Sequence, residues 1–344
     1  MLDDLKYIHE KDRSDALGIA GRQVEQLAHV FDLSHFKPGT IVNVVFAGMG
    51  GSALPAQIVK CWPPLSVPFE IVRDYDVPFY VGEQTLVIVA SYSGNTEEAI
   101  SALGQAEAKG AQIVVMSSGG QLQDLAKEHK HPFLLIPKAE QPRYAVFAML
   151  KAVLDVLGKA GVLRADDVPG QLQTAASFLA EAVEVWRVDI PAKNNPAKQM
   201  AQELMGKSVV IYTGPKLYAA AYKWKISCNE NAKQIAWCNQ IPEFHHNELL
   251  GWAEQPRDKP YAVVELRGSV ERPRVRKRFE VTERLLSGLR PAAHVVEVQG
   301  GTHLEQLLWA IAFGDFVTLY LGLLNGLDPA PVELVERFKK ALDE

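Results

Sequence analysis

Two short stretches of the chain carry side chains suited to holding an anion. "GMGGSALP" (48–55) supplies Gly50, Gly51 and Ser52, and "SYSGNTEEA" (91–99) supplies Ser91, Ser93 and Thr96. Each follows an apolar run and gives way to a helical pattern. An ordinary strand-to-helix turn needs a glycine and one cap, so three hydroxyls within six positions exceed the need. A phosphate monoester presents three terminal oxygens and calls for short donors from several directions, which hydroxyls on two loops can provide. A pyrophosphate relies mainly on one glycine turn and the dipole of its helix.

Two other readings of these residues stay open at this level. Gly48, Gly50 and Ala53 fit G-x-G-x-x-A, and Asp74 closes the next apolar run, where the ribose-binding acid of an NAD-dependent oxidoreductase would fall. Asn95 with Glu98, or a Ser or Thr, would serve as a plain helix cap. Neither loop contains a lysine, which disfavours a P-loop nucleotide site.

The elements that must position these loops repeat regularly. Apolar runs at 41–48, 68–74, 85–91, 111–117 and 132–137 alternate with helical patterns, and a long helix from about 143 to 163 closes the first half. After "RADDVPG" (164–170), a polar Pro-Gly stretch expected to be a linker, helices are expected around 171–187 and 195–206. Strands at 208–214, 232–239, 261–268 and 293–300 then alternate with helices at 215–231, 271–288, 302–325 and 331–343. Buried strands alternating with helices predict an α/β protein of two doubly wound parallel-sheet domains with covering helices, spanning 1–163 and 171–344. In such sheets ligands bind at the carboxyl ends of the strands, where both hydroxyl loops fall.

Composition bounds the partners. The 344 residues carry 36 basic and 41 acidic side chains, a net charge of −5, which gives no general field for nucleic acid or an anionic membrane. Cys61, Cys228 and Cys238 are odd in number and lack a C-x-x-C, which argues against a disulfide framework or zinc site and fits a reducing cytoplasm. The charged start, "MLDDLKYIHEKDRS", has no signal-peptide core. The apolar stretch from Leu304 is interrupted by Glu305 and Asp315, so a buried helix is expected rather than a membrane span.

"GMGGSALPA" followed some forty residues later by "SYSGNTEEA" resembles the sugar isomerase (SIS-domain) family. "IPKAEQPRYA" (136–145), "NENAKQIAWCNQIPEFHHNELLGW" (229–252) and "FGDFVTLYLGLLNGLDPAPVELVERFK" (313–339) narrow the resemblance to the bifunctional phosphoglucose/phosphomannose isomerases. The resemblance implies tandem SIS domains and aldose–ketose isomerisation of glucose, mannose and fructose 6-phosphates. It implies phosphate binding by Gly50, Gly51, Ser52, Ser91, Ser93 and Thr96, with Arg143 facing the reacting carbons and Glu230 as base. It also implies that His246 opens the sugar ring from the neighbouring subunit of a homodimer. Where the family often carries a lysine near the last long helix, this chain has "QGGTHLEQ", and His303 is the nearest equivalent.

The chemistry suits these residue types. Isomerisation moves one proton between C1 and C2, which one partly buried carboxylate can take and return. Arginine offers a permanent charge to the enediolate. A histidine titrating near neutrality can shuttle the ring-opening proton. His245 and His246 are adjacent and point apart, so they make a poor chelate, and neither a metal nor a cofactor is expected. A non-catalytic sugar-phosphate regulator is the alternative function.

Overall fold

The computed structural model describes residues 1–254 and 260–342. Five strands, β1 (Asn43–Ala47), β2 (Phe69–Val72), β3 (Thr85–Ala90), β4 (Gln112–Ser117) and β5 (Phe133–Leu135), form one sheet in the order β2-β1-β3-β4-β5. Every pairing is parallel. Helices cover both faces, so central strands are apolar on both sides; all six residues of β3 are buried. Four more strands, β6 (Ser208–Thr213), β7 (Ala236–Gln240), β8 (Tyr261–Arg267) and β9 (Ala293–Glu297), form a second parallel sheet in the order β7-β6-β8-β9. The two sheets share one winding, the second lacking a fifth strand. In each, the connections diverge between the first and third strands, the position at which ligands bind in sheets of this kind.

The strands lie where the apolar runs predict them, and so do the helices, within a few residues. The last helix is Glu333–Leu342; the final expected helical position, 343, lies outside the described residues. The division of the chain differs from expectation. Arg22–Ser177 form one compact unit, and Met1–Gly21 join the chain from Phe178 onward in the other. The Tyr7 hydroxyl donates to the Leu323 carbonyl (2.7 Å) and the Ala192 amide donates to Asp3 (2.7 Å). Residues 164–170 are not an open linker. The Arg164 amide bonds the Pro64 carbonyl (2.9 Å), Leu163 bridges Leu65, and a helix begins at Val168.

The second unit is built around the helix His303–Leu324. Thr302 and Glu305 cap its start reciprocally, and its residues from Leu304 to Leu323 are all buried. It is long and apolar enough to cross a membrane, yet 94% of its most apolar window is buried inside the protein. Asp315 is tolerated there because the Lys223 ammonium and the Ser227 hydroxyl (2.9 Å) both bond it.

Candidate active site

Three segments meet at the carboxyl edge of the first sheet. Gly48 follows β1, and a Cβ there would lie 2.8 Å from the Ala90 carbonyl, so only glycine lets the tips of β1 and β3 approach this closely. The Tyr92 amide donates to Ser52 Oγ at 2.9 Å, tying the two hydroxyl loops together. Gly51 packs against the third segment, the turn Pro142–Tyr144, with its Cβ position 3.3 Å from the Arg143 nitrogen. The Tyr92 hydroxyl holds the stretch just before that turn, bonding the Ala139 carbonyl at 2.8 Å.

Three of the hydroxyl oxygens are engaged by backbone amides. Ser52, Ser91 and Ser93 each accept a backbone amide, from Tyr92 (2.9 Å), Gly94 (3.1 Å) and Asn95 (3.3 Å) respectively. A hydroxyl whose oxygen is engaged this way keeps its proton to give. Ser91 also bonds Thr96 (2.7 Å) and Ser93 (3.4 Å), so these three hydroxyls use two protons on one another and keep one for a ligand. Thr96 stands at the N-cap of the helix Glu97–Ala108 but makes no side-chain capping bond. Asn95 caps a different helix, accepting the Gln121 amide at 2.9 Å. The plain-cap reading therefore does not account for Thr96. Gly94 is required by its conformation: its φ is +75°, and a Cβ would stand 1.8 Å from the Gly119 carbonyl oxygen. Asp74 lies beyond β2 and accepts the Tyr75 amide (2.7 Å).

Arg143 is fully buried, its guanidinium 4.6 Å from the centre of the Tyr144 ring. A buried guanidinium supplies charge that solvent screens little.

In the other unit, Glu230 ends the helix Tyr218–Glu230 at the amino edge of the second sheet. It is half-buried and lines a cleft of about 640 Å³ with Asn229, Lys233, Val332 and Leu334. Lys233 takes a left-handed φ of +52°, and its ammonium donates to the carbonyls of Glu230 (2.8 Å), Asp328 (3.1 Å) and Pro329 (2.9 Å). It thus fixes the backbone that carries the carboxylate to the segment before the last helix.

The two adjacent histidines take different roles. His245 is half-buried, its Nε2 bonded to Thr282 Oγ1 at 2.6 Å, and burial with the nearby Arg278 charge lowers its pKa. His246 is exposed. Glu248 is held by the Tyr212 hydroxyl (2.6 Å) and the Asn239 amide (2.5 Å), which makes it a structural acceptor.

His303 stands at the start of the long core helix, at the carboxyl edge. Its Nε2–H donates to the Lys216 carbonyl (2.9 Å), and burial lowers its pKa. Lys216 precedes Glu230 by nearly the whole intervening helix, a rise of about 20 Å. Within one chain His303 and Glu230 therefore lie at opposite edges of the second sheet.

Sequence reasoning missed Tyr92 and Lys233. Tyr92 works through a contact 47 residues away, which no local pattern reports. A lysine at the end of a helix reads as ordinary until its left-handed backbone is seen.

Residues 43–157 match the SIS domain family, and residues 193–342 match the bacterial phospho-glucose isomerase C-terminal SIS domain family. A bifunctional phosphoglucose/phosphomannose isomerase of Caldicellulosiruptor bescii is 31% identical over 330 residues, covering 93% of this chain and 96% of that protein. Its counterpart from Thermoplasma volcanium is 33% identical over 314 residues, covering 91% and 95%. Among solved structures, a glucose-6-phosphate isomerase like protein from Thermus thermophilus superposes with a TM-score of 0.65 at 19% identity, covering 97% of this chain and 99% of that one, a likeness of fold. On the strength of tandem SIS domains and relatives matched over nearly their whole length, the chain belongs to the bifunctional phosphoglucose/phosphomannose isomerase family.

Proposed function

We propose that the protein interconverts glucose 6-phosphate and fructose 6-phosphate, and mannose 6-phosphate and fructose 6-phosphate, in the cytoplasm. The observation that carries this reading is the bond from the Tyr92 amide to Ser52, which joins two hydroxyl loops into one donor cluster beside buried Arg143. Ser52, Ser93 and the Ser91–Thr96 pair hold the phosphate, which lies remote from C1 and C2. Its binding energy therefore orients the reacting end without being altered by the reaction.

Glu230 takes the proton from one carbon and returns it to the other through a cis-enediolate. Arg143 stabilises the charge on the enediolate oxygens. The proton is returned and no electrons leave the substrate, so the reaction needs no redox cofactor. His246 carries the ring-opening proton into the neighbouring subunit's site of a homodimer. Glu230 precedes β7 and His246 follows it, so the strand's five residues, about 16 Å, separate them in one chain. This separation supports a site completed by a second copy.

A coupled assay with each aldose phosphate tests the activity, and Glu230→Gln tests the base. The variant is expected to lose at least about a thousandfold in kcat, the scale of a general base, while still binding fructose 6-phosphate. Near-normal turnover in Glu230→Gln removes it as base. Binding of sugar phosphate without turnover by the wild-type protein would favour the regulator.

A further inference from the structure

At the amino edge of the first sheet, away from the hydroxyl loops, the helices Glu97–Ala108 and Gly120–Glu128 end close together. Both stop the same way. Gly110 (φ +68°) and Lys130 (φ +61°) turn left-handed, and the amides of Ala111 and His131 reach back to the carbonyls of Ala106 and Ala126. Glu107 stands in the last turn of the first helix, where the dipole disfavours an acid. His129 and His131 flank left-handed Lys130, and both rings meet that carboxylate. Glu107 Oε1 lies 2.6 Å from His129 Nδ1 and 2.6 Å from His131 Nε2, with the ring planes 78° apart. Three ligating atoms from three side chains thus fall within 4.8 Å of one another.

We infer that Glu107, His129 and His131 form a site for a zinc-class divalent cation, which fastens the two helix ends together and takes no part in turnover. One carboxylate and two helix C-termini concentrate negative potential at this point, which favours a cation. Two imidazoles and one carboxylate, with a water completing a tetrahedron, are a ligand set for zinc rather than for magnesium or calcium, which prefer oxygen alone. Metal–ligand bonds of about 2.0–2.1 Å set tetrahedral neighbours about 3.3 Å apart. Binding therefore opens each Glu107–imidazole contact by less than about 1 Å, a side-chain adjustment. His129 is 39% exposed, so the cluster is open to solvent. The helix that carries Thr96 at its start and Glu107 near its end has 12 residues, about 18 Å, which keeps the cation clear of the phosphate loops. The inference does not depend on the isomerase reading.

The test uses the full chain, freed of metal by a chelator that is then removed. Titration with Co²⁺ is expected to give one bound ion per chain with the visible absorption of a four-coordinate site. One equivalent of Zn²⁺ should displace it, and excess Zn²⁺ should raise Tm. His129→Gln/His131→Gln should lose the absorption and the zinc-dependent rise in Tm. Glu107→Gln and His131→Gln, each removing one ligand of three, should weaken binding and cover the case of a misfolded double variant. Isomerase turnover should stay at the wild-type level throughout. Absence of stoichiometric uptake by the wild-type chain, or undiminished uptake by the ligand variants, would overturn the inference.

Discussion

The oxygen of Ser52 accepts the Tyr92 amide, so its proton is what it still has to give. Ser93 accepts the Asn95 amide and also meets Ser91 at 3.4 Å, and the gathering of hydroxyls at 52, 91, 93 and 96 was readable from sequence because hydroxyls in excess of capping are uncommon. Which serine braces and which donates was not readable; buried Ser91, bonded to Thr96 and Gly94, does much of the bracing. His245 and His246 were likewise indistinguishable until Thr282 was found against His245. His246→Ala is expected to keep the wild-type Tm and to slow turnover of the cyclic sugars. His245→Ala should lower stability by about 1 kcal/mol through the lost hydrogen bond. Thermal unfolding with parallel kinetics checks both. Because the folded pKa of His245 is lowered, the unfolded chain binds its proton more readily. Its contribution is complete above the ordinary histidine value, about 6.5, and is lost as pH falls from there toward the folded pKa. Tm measured from pH 8 to pH 5 should therefore fall less steeply below that value in His245→Gln than in the wild-type protein.

At the scale of elements, the strands were legible because both faces of each sheet are covered and the sequence answers with unbroken apolar runs. The loops are set by backbone demands that sequence shows only as glycine. At Gly94 a left-handed φ and a carbonyl 1.8 Å from the Cβ position combine. Gly94→Ala should cost at least about 2 kcal/mol, the strain of a left-handed residue plus the displacement of Gly119, and should raise KM for fructose 6-phosphate. Wild-type Tm and KM in that variant would show that the loop adapts. Lys233 is the converse case, a non-glycine residue held left-handed while its ammonium bonds three carbonyls.

For the whole molecule, sequence pattern placed a boundary at the polar 164–170 stretch, whereas compactness divides the chain at Ser177 and returns residues 1–21 to the later unit. Contacts such as Tyr7 with Leu323, 316 residues apart, leave no local trace. Leu2, Ile8 and Leu17 are buried there. Deleting residues 1–21 should cost about 5 kcal/mol or more, from three large apolar side chains at roughly 2 kcal/mol each, seen as a lower denaturation midpoint. A site shared between subunits makes a further prediction. Mixing Glu230→Gln and His246→Ala chains should raise turnover of the cyclic sugars above that of either variant alone, toward about a quarter of the wild-type rate, since half of randomly formed dimers are mixed and each holds one intact site. No restoration would place both groups in one chain's site. The central claim, that two strand tips jointly hold the sugar's phosphate, is tested most directly by KM and kcat for fructose 6-phosphate in Ser93→Ala/Thr96→Val. Loss of charge-assisted hydrogen bonds worth about 1.5–3 kcal/mol predicts a KM raised at least about tenfold, with kcat changed far less; an unchanged KM would contradict the account.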